Sequence, residues 1–258
     1  MNQIKLKQDR FRQITDVSDI FIINLEKRKD RYKHMTKQMA QLSIKDYTRF
    51  NAIYGEKLRE DKLDKIDDTA LQQLITGHRE HHEELSSFNC VGVFYSHLEL
   101  LEKVSKMDKN TKSMILEDDI VFHENTINIL SSVWGEIPMD YDIIFIGFIP
   151  INMDDTNIIR VSQHVARYAH FWSMGAYIIT QAGATKILNS FKEEGTIKLQ
   201  FDAYIRSLIE NNKLTSYFIV PPVATFNKIE GVNSDTQHMN RPNLKFIKFN
   251  NNINTLLK

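Results

Sequence analysis

An α/β fold with a mainly parallel central sheet flanked by helices is the class this sequence predicts, on three observations. Residues 20–25, I-F-I-I-N-L, are apolar on both faces, as in a strand buried inside a parallel sheet. A polar loop and a helical pattern follow at once, which opens a strand–loop–helix unit. Residues 114–116, M-I-L, repeat the buried-strand pattern and deliver three successive carboxylates, Glu117, Asp118 and Asp119, to the strand's carboxyl end. With 258 residues and 42% hydrophobic composition the chain can bury a substantial core, as one large domain or one domain with an appendage.

The elements justify themselves in order. Residues 1–17 are polar and charged and read as an arm or an irregular turn. After the first strand, Asp30 is placed to cap a helix running to about Gln41, whose apolar face is Tyr32, Met35, Met39 and Leu42. Arg28 and Arg31 thus follow a strand's carboxyl end, where open α/β sheets bind ligands. Guanidinium there suits a diphosphate or a carboxylate, and the same run also fits a solvated charged loop. Residues 47–51 form a second short strand, and residues 57–85 one or two surface helices. His78 and His82 lie four apart there but lack the H-E-x-x-H order, so they read as part of a solvated helix.

Residues 90–104 fit a helix packed on the sheet through Phe94, Leu98, Leu101 and Val104, with His97 either packed inside it or turned to a site. The acidic run that follows reads either as a divalent-cation site, since oxygen ligands suit a hard cation, or as a solvated acidic turn. Residues 123–134 continue as helix and 141–146 as a buried strand, with a short strand at 158–161. Residues 176–180 are a further strand, followed by a helix with Ala184, Ile187, Leu188 and Phe191 inward; its G-A-T-K lacks the first glycine and spacing of a phosphate loop. A short helix at 201–209 is led by Gln200, Phe201 and Asp202, and a last strand at 217–220 is closed by Pro221 and Pro222. The remainder is polar and without helical period.

Thirty-three basic and thirty-three acidic residues give a formal net charge of zero, which argues against nucleic acid or an anionic membrane as the main partner. Cys90 is the sole cysteine, so no disulfide forms within the chain and no cysteine metal cluster is available. No signal-peptide pattern opens the sequence and no run reaches the roughly twenty apolar residues that span a bilayer, so a soluble, cytoplasmic protein is expected, in a bacterium or a virus-infected host cell. Richness in Lys, Asn and Ile, as in Asn250, Asn251 and Asn252, fits an AT-rich bacterial or large-DNA-virus genome.

I-I-N-L-E-K-R-K-D-R at 22–31, G-V-F-Y-S-H at 92–97 and M-I-L-E-D-D-I-V-F at 114–122 resemble successive motifs of glycosyltransferase family 25. Y-D-I-I-F-I-G, W-S-M-G-A-Y-I-I-T-Q-A-G-A-T-K-I-L, F-D-A-Y and N-S-D-T-Q continue the same order, over residues 19–237. That family includes bacterial lipopolysaccharide glycosyltransferases and procollagen hydroxylysine galactosyltransferases. The chain departs from the family pattern where Val93 replaces a cysteine and where Gln200-Phe201-Asp202 replaces proline, apolar residue, aspartate.

The resemblance implies a GT-A type, Rossmann-like domain over residues 19–238, with an arm at 1–18 and a tail at 239–258. It implies an inverting enzyme that moves galactose or glucose from a UDP-sugar to a hydroxyl of a glycan or hydroxylysine-type acceptor, with Mn²⁺ or Mg²⁺ as cofactor. Glu117-Asp118-Asp119 would be its D-x-D-like motif. Asp119 would be the direct metal ligand, with Glu117 or Asp118 at the ribose or a metal-bound water. Asn24, Leu25, Arg28 and Arg31 would hold the nucleotide, joined by Ser96 and His97. Asp202 would be the base that takes the acceptor proton, its other reading being a helix N-cap. Asp235 and His238 would complete the metal shell or close over the diphosphate. Two competing expectations are a non-catalytic binding or adhesion module of the same fold, and a Mg²⁺-dependent phosphohydrolase.

Overall fold

A computed structural model of the protein describes residues 9–151 and 158–226. Its core is a ten-stranded sheet of strands β1 (Asp19–Asn24), β2 (Thr48–Asn51), β3 (Lys112–Glu117), β4 (Ile120–Phe122), β5 (Ile143–Pro150), β6 (Ile158–Arg160), β7 (Val165–Tyr168), β8 (Phe171–Thr180), β9 (Ser216–Ile219) and β10 (Ala224–Phe226). The order is β2-β1-β3-β8-β5-β9-β7-β6, with β4 and β10 off this path. The helices are α1 (Arg10–Thr15), α2 (Lys29–Gln41), α3 (Glu60–Leu63), α4 (Asp68–Thr76), α5 (Phe88–Ser105), α6 (Thr126–Val133), α7 (Gln181–Glu194) and α8 (Phe201–Glu210).

Side chains of a strand alternate between faces, so a strand covered on both sides must be apolar throughout. Phe21, Ile23, Ile115, Phe145, Tyr177 and Phe218 enter one core with residues of α5, α7 and α8. Their neighbours Ile20, Ile22, Met114, Leu116, Ile144 and Tyr217 enter the other, with residues of α1, α2 and α6. The expected α/β class holds, and the sheet is mixed. β1 pairs in parallel with β2 and β3, and β5 with β9, but β8 runs antiparallel between β3 and β5. Strand direction is set by the connections, which local apolarity does not record.

Other expectations are corrected. The stretch before β1 is not an irregular arm throughout, because α1 buries Phe11 completely. Asp30 is not the cap of α2; Arg28 occupies that position and Asp30 sits in the first turn, gripped by both Nε and Nη2 of Arg28 and held at about 2 by that guanidinium. His78 and His82 lie in the irregular segment after α4, not on a helix. β4, β7 and β10 are strands the sequence pattern missed, each only three or four residues long.

Antiparallel β8 positions the site. The carboxyl ends of β1 and β3 meet at one edge, where Ile23 pairs with Glu117. Because β8 runs the other way, with Ala176 opposite Leu116, it brings its amino-terminal residues to that same edge.

Candidate active site

The acidic run divides into three environments. Asp118, just past β3, is buried and accepts from Asn24 Nδ2 at 2.6 Å and from Arg31 Nη1 at 2.9 Å. Asn24 also donates to the Arg28 carbonyl at 3.0 Å and accepts from Arg49 Nε at 2.9 Å. Burial pushes the Asp118 carboxyl up, against the pull of Arg31 and Asn24. Asp119 meets Arg31 through Oδ2 at 3.4 Å, while its Oδ1 is buried with no hydrogen-bond partner. Burial first, and the neighbouring Glu117 charge second, raise the Asp119 carboxyl to about 7.

Glu117 turns elsewhere. Its Oε1 lies 3.3 Å from His97 Nε2, and Nδ1 of the same ring lies 2.9 Å from the Tyr177 hydroxyl. His97 is fully buried and stacks on Phe201, with ring centroids 4.4 Å apart and planes 10° apart. A cleft of about 100 Å³ joins these groups to the start of α8; His97, Glu117, Ser173, Met174, Phe201 and Asp202 line it, with Gln200, Val93 and Cys90. Asp202 is therefore brought to the acidic edge beside Glu117, although the two lie far apart in the chain.

Asp202 is not the N-cap of α8, which is Gln200. Its Oδ2 accepts from the Ser173 main-chain N–H at 2.7 Å and Oδ1 from that of Ala203 at 2.8 Å. Ser173 reaches it from a left-handed backbone, φ 55°, a conformation a non-glycine residue adopts at a cost and one that clusters at functional sites. Burial raises the Asp202 carboxyl, and the two N–H donors oppose that rise. A carboxylate has about four lone-pair sites, so two N–H bonds leave acceptor capacity toward the cleft.

The G-V-F-Y-S-H motif has a geometric explanation. A Cβ on Gly92 would sit 2.5 Å from the Ile53 carbonyl and 2.7 Å from Gly55 N, so only glycine lets the segment after β2 cross α5. One turn later Ser96 Oγ accepts from Ile53 N at 2.8 Å and donates to the Gly92 carbonyl at 2.7 Å. Ser96 thus clamps that crossing, away from the cleft lining, and His97 projects to the sheet. Leu25 supplies its carbonyl to Arg28 N and to Arg49 Nη2 in the turn after β1. Asp235 and His238 lie outside the described residues.

Sequence reasoning missed Arg49, Ser173, Tyr177 and Gln200. Gln200 Nε2 donates to the carbonyls of His82 and Glu84, which ties the segment after α4 to the cleft. His82 there packs edge-on against Trp172, ring centroids 3.8 Å apart. The unusual Gln200 before Phe201-Asp202 was the visible signal; Arg49 had none beyond its place within the second strand.

The fit of a hard cation rests on Asp119, whose buried, unpartnered oxygen is the donor type Mn²⁺ and Mg²⁺ take. Glu117 adds a second carboxylate nearby. Among the described residues no group of three His, Cys, Asp or Glu side chains is gathered as a metal shell, and Mg²⁺-class ions commonly take one or two carboxylates with the rest from water and phosphate.

The family model described as glycosyltransferase family 25 (LPS biosynthesis protein) matches residues 17–205. A glycosyltransferase 25 family member of Anopheles gambiae is 27% identical over 230 residues, 83% of this chain and 36% of that protein. Procollagen galactosyltransferase 1-A of Xenopus laevis is 24% identical over 205 residues, 77% of this chain and 32% of that protein. The chain thus spans about a third of the length of these curated relatives. Among solved structures, the galactosyltransferase LgtC with donor and acceptor sugar analogs aligns over 85% of this chain and 91% of its own, at 12% identity and a TM-score of 0.40. That likeness is too distant to inform the chemistry.

Proposed function

The chain belongs to glycosyltransferase family 25, and we propose that it is an inverting, metal-dependent hexosyltransferase, moving galactose or glucose from a UDP-sugar to a hydroxyl of a glycan or hydroxylysine-type acceptor. The observation that carries this reading is the cleft where Glu117, from the acidic edge of the sheet, and Asp202, from the start of α8, line one space. Inversion needs this separation of duties. The C1–O bond to the diphosphate breaks as the acceptor oxygen bonds C1 from the opposite face, and the acceptor proton goes to a carboxylate within reach. Asp202 is that base. Its two N–H bonds hold the carboxylate in place, and its burial raises proton affinity toward the range useful to a base. Asp119, with Glu117 beside it, would hold Mn²⁺ or Mg²⁺. Such an ion, when bound, neutralises charge on the departing diphosphate. Asn24, Arg28 and Arg31 shape the adjoining turn, and Arg31 keeps Asp118 and Asp119 from repelling each other apart.

The test is release of UDP from UDP-galactose and UDP-glucose with Mn²⁺, followed with and without glycan and hydroxylysine-peptide acceptors, for the protein and for Asp202→Asn. Expected are metal-dependent turnover, a product of inverted anomeric configuration, and a fall in transfer of about 10²–10⁴-fold in the variant, the span of general-base catalysis. No binding or turnover of any UDP-sugar, and no effect of metal, would sink the reading.

A further inference from the structure

Behind Glu117 lie two buried polar groups with no part in the mechanism above: the Tyr177 hydroxyl is 2.9 Å from His97 Nδ1, and His97 Nε2 is 3.3 Å from Glu117 Oε1. Tyr177 is 1% exposed and His97 0%, while Glu117 opens to the cleft. We propose that Tyr177 and His97 are positioning residues for Glu117: the tyrosine hydroxyl locks His97 with its proton on Nε2, and that N–H holds the Glu117 carboxylate between Asp119 and Asp202.

The logic is one of donors and acceptors. A carboxylate can only accept, so the hydrogen bond to Glu117 requires a proton on Nε2. A neutral imidazole then has Nδ1 as an acceptor, and the buried phenol is the donor that satisfies it. Burial and the Glu117 charge both drive the Tyr177 hydroxyl's acidity down, so it stays a donor. Phe201 stacks flat on the imidazole, centroids 4.4 Å apart, and Tyr177 lies at 29° to it, and the two restrain the ring. Phe201 directly precedes Asp202, so the same stack ties the position of Glu117 to that of the base. The tyrosine hydroxyl and both ring nitrogens of His97 are partnered inside the core, where such chains are rigid and costly to disturb.

This inference rests on the transferase reading only for its effect on rate; its structural half stands alone. ¹⁵N NMR of histidine-labelled protein reads the tautomer directly. His97 is expected as the neutral Nε2–H form, and an Nδ1–H or doubly protonated ring in the unmodified protein would overturn the lock even if the protein transfers no sugar. Tyr177→Phe keeps the buried ring and deletes the hydroxyl. It is expected to shift His97 toward Nδ1–H and to lower kcat for transfer about 10–100-fold, the cost of misplacing a site group by a fraction of an ångström to an ångström, with KM for the UDP-sugar within about twofold. His97→Gln, whose amide can still donate to Glu117, is expected to retain more transfer than His97→Leu at matched thermal stability, and this comparison decides the matter if Tyr177→Phe does not fold. Equal activity of Gln and Leu variants, or full transfer by Tyr177→Phe despite a tautomer change, overturns the proposal.

Discussion

Replacing Asp119 by Asn should make the metal-free protein more stable, and increasingly so as pH rises. The folded-state carboxyl titrates at about 7 against a reference of 3.8, a rise caused first by burial and then by the Glu117 charge. Between these values the folded state binds a proton that the unfolded state has released. Stability therefore falls as pH climbs through this window and levels off above about 7. Three units at about 1.4 kcal/mol each set a cost of about 4 kcal/mol once Asp119 is fully ionised. That figure is already net of the 3.4 Å contact with Arg31, whose charge pulls the carboxyl down against burial. The expected gain above pH 7 is at most about 4 kcal/mol, or up to roughly 8–16 °C in Tm for a chain of this size. Urea unfolding of both proteins with EDTA, at steps from about pH 5 to about pH 8.5, reads the gap. A gap that stays flat with pH, or a variant less stable at every pH, would refute the account of Asp119 as a buried carboxylate with one oxygen left unpartnered. Adding Mn²⁺ should then raise the Tm of the unmodified protein and leave Asp119→Asn unmoved.

Two further substitutions, one with a neighbouring control, probe the scaffold. Asn24→Ala removes donors to Asp118 and the Arg28 carbonyl and the acceptor of Arg49; a loss of about 2–3 kcal/mol in urea unfolding is expected, together with weaker UDP binding by calorimetry. Gly92→Ala forces a Cβ against two backbone atoms, Ile53 O and Gly55 N, which cannot swing away, so about 1–3 kcal/mol of destabilisation is expected, while Val93→Ala on the next residue should cost less.

The strands that carry the site were legible because burial on both faces writes itself into the chain as unbroken apolarity, as in residues 20–23 and 114–116. The helix from Phe88 was legible from its period, and its glycine and serine from a motif whose reason, the crossing at Ile53, is visible only in three dimensions. The three-residue strands β4 and β10 were not legible. They pair with each other, Thr225 opposite Val121, and too few residues repeat to set a period. The same holds for α1, where one buried phenylalanine stands in a polar stretch.

Within the site, local sequence determined that three carboxylates arrive together at the end of a buried strand, and that an arginine-bearing turn follows the first strand. Peptide geometry alone dictates that much, since neighbouring residues cannot be far apart. Which carboxylate does what was decided by partners distant in sequence. Asn24 and Arg31 take Asp118, the buried ring of His97 takes Glu117, and Asp119 keeps an oxygen without a partner. The antiparallel entry of β8 brought Ser173 and, through it, Asp202 to the same edge. Composition could not record that step, because a strand buried on both faces is equally apolar whichever way it runs.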